Sequence, residues 1–139
     1  MAHLSELHRL DRAECLRLLR TVTVGRIAFT EGALPAIQPV NFTVEGSDVI
    51  IWTSGGGKLA AAVSGAVVAF EADEVDTATR RGWSVVVVGH ASLVRDIDRL
   101  VAVARPDSKP WVPGRTNHVI CIKAERVTGR RIAPDVNGH

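Results

Sequence analysis

The segment Trp83-Ser84-Val85-Val86-Val87-Val88-Gly89-His90-Ala91-Ser92-Leu93-Val94 constrains the fold more than any other part of the chain. β-Branched residues dominate it, and these pack well on a pleated surface while losing rotamer freedom in a helix. The pattern predicts one long strand. Four successive valines put apolar groups on both faces, so this strand needs cover on both sides. Gly89 in its interior predicts a bulge or bend.

Five other segments carry strand patterns. Val22, Val24, Arg26, Ala28 and Thr30 alternate with Thr23, Ile27 and Phe29, and Glu31-Gly32 supplies a turn. A second strand is expected over 36–44. Pro39 removes a backbone donor there, which places the strand at an edge or interrupts it. Glu45-Gly46-Ser47-Asp48 is a hairpin turn into Val49-Ile50-Ile51-Trp52-Thr53, and the three strands make an antiparallel meander. Residues 66–71 are apolar enough for a strand buried on both faces. Glu71, Asp73, Glu74 and Asp76 then open a polar excursion ending at Gly82, and 118–127 alternates as a last strand.

Helices are short. Asp11 can cap the first, with Glu14 three residues later as in a capping box, and Cys15, Leu18 and Leu19 form its apolar face. Leu59-Ala60-Ala61-Ala62-Val63 predicts one or two turns stopped by Ser64-Gly65, and Asp96 can cap a helix over 97–104. Residues 105–114 hold Pro106, Pro110 and Pro113 and are expected to be irregular.

Six strands with small helices at the turns predict a mainly β fold, a closed or nearly closed antiparallel barrel. Closure removes the exposed edges of a β-rich chain. An α/β sandwich would need long crossover helices, and the early connections are too short for them. The 139 residues suit one domain over 1–139, with 1–9 and 133–139 as flexible tails. A hydrophobic share of 46% with 23% charged residues excludes a disordered chain. The formal net charge of +2 names no partner, and the basic residues are scattered, so no nucleic acid is expected. No apolar run approaches the roughly 18 residues of a membrane span, and no secretory leader is visible. Cys15 and Cys121 lack metal-ligand spacing and suit buried thiols in a reducing cytoplasm; the five histidines lack it too, so no metal is expected.

Chemistry concentrates at Thr53-Ser54-Gly55-Gly56-Gly57-Lys58-Leu59, which runs from strand through hydroxyls, glycines and a lysine into a helix. Glycines let backbone N–H groups approach an anion, the following turn adds free donors, and Lys58 adds a full charge. The segment can cradle a phosphate or be a plain hairpin end with a solvated lysine. It is not a Walker A loop, because Leu59 stands where Ser or Thr would hold magnesium. Pro39-Val40-Asn41-Phe42 breaks a ladder beside an amide that can donate and accept. Trp52, Trp83 and Trp111 could each stack on a flat ligand or pack in the core. No Ser-His-Asp order, carboxylate pair or reactive cysteine setting stands out, so a bound cofactor would carry any chemistry.

Taken in order, Val24-Gly25-Arg26-Ile27-Ala28-Phe29, Pro39-Val40-Asn41-Phe42, Ile51-Trp52-Thr53, Gly57-Lys58-Leu59-Ala60, Phe70-Glu71, Gly82 to Ala91 and Val127-Thr128-Gly129-Arg130-Arg131-Ile132 resemble the pyridoxamine 5′-phosphate oxidase-like family of flavin-binding split barrels. The likeness is greatest to small actinobacterial members. It implies a six-stranded antiparallel split barrel with short flanking helices, a homodimer with cofactor at the interface, and FMN as cofactor. It implies an oxidoreductase passing hydride or electrons to or from a small-molecule substrate. On this resemblance Lys58 and its loop hold the FMN phosphate, and Val40, Asn41 and Phe42 run past the isoalloxazine edge. Thr53 and Ser54 sit near the ribityl-phosphate, and Ser84 takes a position where relatives place a flavin-contacting glutamine. Gly57, Leu59 and Trp83 complete the expected cofactor-binding set. The second strand is uncharged around Gln38 and Asn41, unlike true pyridoxamine phosphate oxidases, so that substrate is not expected. Two alternatives use the same barrel. One is a deazaflavin-dependent reductase, if Arg80, Arg81, Arg115 and Lys123 converge into a basic groove. The other is a flavin-storing protein without turnover.

Overall fold

The structure is a computed structural model and describes residues 8–103 and 118–134. The expected irregular stretch over 105–114, with Trp111, and Arg115 beyond it lie outside the described residues. The strands are β1 (Arg9–Leu10), β2 (Val24–Glu31), β3 (Leu34–Glu45), β4 (Asp48–Thr53), β5 (Val67–Asp76), β6 (Arg81–Leu93), β7 (His118–Ile122) and β8 (Arg126–Ile132). The helices are α1 (Arg12–Leu19), α2 (Gly57–Val63) and α3 (Ile97–Val103). Antiparallel pairing runs β6-β5-β2-β3-β4-β7, and β7 returns to β6. The expected six-stranded barrel is therefore present and closed. Outside the ring, β8 pairs with β6 and β1 pairs with β8.

β6 makes this topology possible. Its residues 82–88 pair with β8, and Ala91, Ser92 and Leu93 pair with β7. The handover falls at Gly89, where a Cβ would overlap the backbone carbonyl oxygen of Lys123. The Lys123 amide donates to the His90 carbonyl at 3.1 Å beside it. The bend expected at Gly89 is thus a strand crossing. It also corrects the expected last strand over 118–127, which is two strands broken at Lys123-Ala124-Glu125. Each half serves a different part of β6, so the chain must step over Gly89 between them.

The acidic stretch after Glu71 is also strand rather than excursion. β5 continues to Asp76, paired with β6 as far as Arg81. Alternation explains it: Ala72 is fully buried while Glu71 and Asp73 point outward. In the four-valine run, Val85 and Val87 are fully buried, whereas Val86 and Val88 are half-buried on the outer face. Cover on that side is therefore partial.

The interior holds Ile27, Phe29, Phe42, Ile51, Phe70 and Ile120 from the strands, with Leu18 and Leu19 from α1 and Ala61 and Ala62 from α2. Each such leucine contributes about 1.5–3 kcal/mol relative to exposure. As expected, Asp11 caps α1, accepting from the Glu14 amide at 2.8 Å. Glu14 does not complete the capping box; its carboxylate pairs with Arg17 at 2.7 Å and Arg131 at 3.3 Å. His8 and Arg9, expected within a tail over 1–9, are instead tied to the sheet: Arg9 and Leu10 pair with β8, and the Arg131 amide donates to the His8 carbonyl at 2.7 Å. That pairing covers an edge of β8 which would otherwise be bare.

A second apolar cluster lies outside the barrel. Ile50, Trp52, Val94, Val119 and Cys121 pack beneath Leu100 of α3. β4 is consequently buried on both faces, with Val49 and Ile51 inward. Arg99 of α3 is tied to Glu45 at 3.1 Å and donates to the Cys121 sulfur at 3.2 Å. Cys15 and Cys121 are both free and buried. No helix among the described residues is long and apolar enough to cross a membrane.

Candidate functional site

β3 changes partner halfway along. Residues 34–41 pair with β2, whereas Phe42, Thr43, Val44 and Glu45 pair with β4. On β4, Trp52 and Thr53 are in register with β7 only. The sheet therefore splits, and among the described residues one edge of β3 before Phe42 has no strand neighbour. The Phe42 amide donates to the Thr23 carbonyl at 3.0 Å. Antiparallel alternation then turns the backbone groups of Ile37 and Pro39 away from β2, toward the open edge. The donor that proline lacks falls where no strand would accept it, as an edge assignment requires.

The end of β4, the loop Ser54-Gly55-Gly56 and the start of α2 face this region. Gly55 and Gly56 adopt φ values of 136° and 90°, and none of the described residues lies within 4 Å of where their Cβ atoms would stand. Only glycine takes such backbone angles without strain, and among the described residues no side chain covers the loop backbone. Thr53 shapes the bend: its Oγ1 donates to the Gly55 carbonyl at 2.9 Å and accepts from the Gly55 amide at 3.2 Å. Gly56 caps α2 without a side-chain hydrogen bond. Lys58, on the first turn of α2, donates from Nζ to Gln38 Oε1 on β3, so it spans the split. Burial lowers the Lys58 pKa from its ordinary value, while the Glu31 carboxylate opposes that shift.

The expected cofactor-binding residues divide into three groups. Ser54 is exposed, Asn41, Gly57 and Lys58 are half-buried, and all four belong to the segments that border the split. Leu59 follows Lys58 in α2. Val40, Phe42 and Trp83 turn their side chains into the core, where Phe42 meets Phe70 edge-on at 4.6 Å, so they can offer a ligand little beyond backbone. Thr53 is buried with its hydroxyl engaged in the loop. Ser84 is half-buried on the outer face of β6, opposite Asp73. With β5 and β2 between β6 and β3, it stands roughly 14 Å across the sheet from the split. Trp52 lies under α3 rather than beside the loop.

Sequence reasoning missed Gln38 and Glu31 as neighbours of Lys58. Both were detectable by strand alternation, since Glu31 continues the inward row of Ile27 and Phe29, and Gln38 is opposite Ile27. It also missed a charged cluster on the outer face. Arg26 Nη1 lies 3.0 Å from Glu71 and 3.3 Å from Asp73. Burial, then the adjoining Asp73 carboxylate, push Glu71 up to about 7 against the pull of Arg26. These three residues line a cavity of about 350 Å3 with Ala28, Ile37 and Ala69. The basic groove considered for a deazaflavin does not form from the described residues. Arg81 opens β6, while Lys123 lies beside Gly89, about 26 Å further along the strand.

Comparison with known proteins adds to this geometry. The family profile described as pyridoxamine 5′-phosphate oxidase matches residues 11–131. An uncharacterized protein of Mycobacterium tuberculosis is 44% identical over 135 residues, covering 94% of this chain and 88% of the relative. The FAD binding protein from Mycobacterium smegmatis superposes with a TM-score of 0.77 at 36% identity, covering 91% of this chain and 99% of that one. A conserved protein of unknown function from Corynebacterium diphtheriae gives 0.74 at 29% identity, covering 90% and 96%. Profile and relatives extend over nearly the whole barrel, including the split and its glycine loop: the chain belongs to the pyridoxamine 5′-phosphate oxidase-like family of split barrels.

Proposed function

We propose that this chain binds FMN at the split between β3 and β4 and acts as an oxidoreductase on a small molecule, as a homodimer in the cytoplasm. The observation that carries this reading is Lys58 spanning the split to Gln38 beside an open glycine loop. The residues fit a phosphorylated flavin. Lys58 supplies a cation, Ser54 an exposed hydroxyl, and Gly55 and Gly56 a backbone that no described side chain shields. Asn41 and the unpaired edge of β3 supply donors and acceptors suited to a heteroaromatic rim. A bound flavin supplies hydride and electron transfer, and the chain anchors it, orients it and leaves a face for substrate. Family membership and the FAD-binding relative support a flavin.

Dimerisation is supported by the outer face of β3, β2, β5 and β6. Ile37 is 68% exposed and Val67 56%, beside Ala28, Ala69 and the half-covered Val86 and Val88. A second copy on this face would complete the cover the valine run lacks. The setting suits the two buried free thiols.

The test is a flavin titration followed by fluorescence quenching. Lys58→Ala should weaken FMN binding tenfold or more, since a charged hydrogen bond is worth about 1.5–3 kcal/mol. An unchanged dissociation constant rejects the site. Anaerobic addition of reduced nicotinamide cofactor then distinguishes turnover, in which the flavin bleaches, from storage, in which it stays yellow.

A further inference from the structure

Glu31 is a carboxylate in an unusual position. Along β2 the inward residues are Gly25, Ile27 and Phe29, and strand alternation places Glu31 next in that row, at the rim of the barrel. Its side chain reaches toward α2. A Cβ added at Gly57 would overlap Glu31 Oε2 and stand 2.8 Å from Glu31 Cδ, so the carboxylate lies directly against Gly57. It also acts electrostatically on Lys58, whose hydrogen bond goes to Gln38. The corner assigned above to a phosphoryl group thus already holds an anion of the protein's own.

We propose that Glu31 is a specificity-determining residue: an internal anion beside Gly57 and Lys58 that opposes a phosphoryl group at this corner in proportion to its charge and leaves the flavin ring unaffected. The proposal rests on the reading of Lys58 as the phosphate anchor. A terminal phosphate monoester carries about −1.5 to −2 charges at pH 7. It must displace Glu31 from Gly57 or bind beside it, sharing Lys58 with a like charge. The pyrophosphate of FAD carries about two charges in all but only one on the phosphate that would stand at this corner, the other lying farther away, so it is opposed less. Riboflavin brings none. Glu31 therefore lowers FMN affinity most, FAD affinity less and riboflavin affinity not at all.

The experiment titrates riboflavin, FMN and FAD into wild type, Glu31→Gln and Lys58→Ala by flavin fluorescence. Glu31→Gln keeps the size and polarity of the side chain and removes the charge. It should tighten FMN about tenfold, FAD by a smaller factor, and leave riboflavin unchanged. Equal changes for all three flavins would mean a packing effect and overturn the proposal, as would no change for FMN. Lys58→Ala separates this failure from failure of the underlying reading. If the variant retains the wild-type ratio of FMN to riboflavin affinity, the phosphate does not sit at Lys58 and both ideas fall. If that ratio collapses while Glu31→Gln changes nothing, the anchor stands and only the role of Glu31 is lost.

Discussion

Replacing Glu71 with glutamine should flatten the pH dependence of stability, and the sign follows from the surroundings of that carboxyl. Burial and Asp73 push it up to about 7, although Arg26 lies only 3.0 Å away. In the unfolded chain the same group titrates near 4.5. The folded state thus holds this proton more tightly. The resulting stability is fully present below about 4.5 and is lost as the pH rises through about 7. The full difference corresponds to at most about 3 kcal/mol. Solvent still reaches 31% of the Glu71 side chain, and screening reduces the expected effect to about 1–2 kcal/mol. Glutamine cannot ionise and can still accept from Arg26. Glu71→Gln should therefore match wild type near pH 4.5 and exceed its stability by about 1–2 kcal/mol at pH 8. Urea denaturation of both proteins at the two pH values measures this, and titrating groups remote from Glu71 cancel between them. A wild type that gains on the variant as the pH rises would show that Arg26 dominates, and the reasoning would be wrong.

Two further substitutions test the backbone. Gly89→Ala should cost about 3 kcal/mol or more, because the methyl meets the Lys123 carbonyl at the crossing of β6 with β7 and β8; a denaturation midpoint close to wild type would contradict that crossing. Ala33, in the β2–β3 turn after Gly32, has a φ of 66°, so Ala33→Gly should stabilise by about 0.5–1 kcal/mol, seen as a melting temperature raised by a few degrees.

Local signals in the sequence were legible where one physical rule acted alone. Asp11 caps α1 because a short carboxylate at that position satisfies a free amide, whatever the helix packs against. Pro39 marks an unpaired edge because it lacks a donor. The glycines before Lys58 mark an open loop for the same local reason. What was not legible depends on partners far along the chain. The residues 118–127 hold no glycine or proline to mark a turn, yet the strand breaks because its two ends pair with different halves of β6. The acidic run in β5 looks like a loop until β6 is laid beside it and Ala72 is seen to face the core. Val40, Phe42 and Trp83 belong to binding segments by resemblance, but their side chains are taken up by the core, which leaves a ligand little beyond their backbone.

The same competition between partners accounts for the cleft. β4 could continue along β3 beyond Ile51, and the barrel would then have no split. It does not: from Trp52 onward β4 pairs with β7 alone, and Trp52 is held there by Val94, Val119 and Leu100 on the outer side. Trp52 and Thr53 keep their register with Val119 and His118 on β7. Burying an aromatic side chain under α3 outweighs the one or two ladder hydrogen bonds that β3 could offer, each worth about 0.5–1.5 kcal/mol net. Pro39 weakens the competing pairing further, since β3 has no amide to donate there. The opening in which Lys58 meets Gln38 thus depends on packing on the far side of β4 as well as on Pro39 at its own edge. Function-bearing residues at the split can change without closing it, so long as Trp52 keeps its cover.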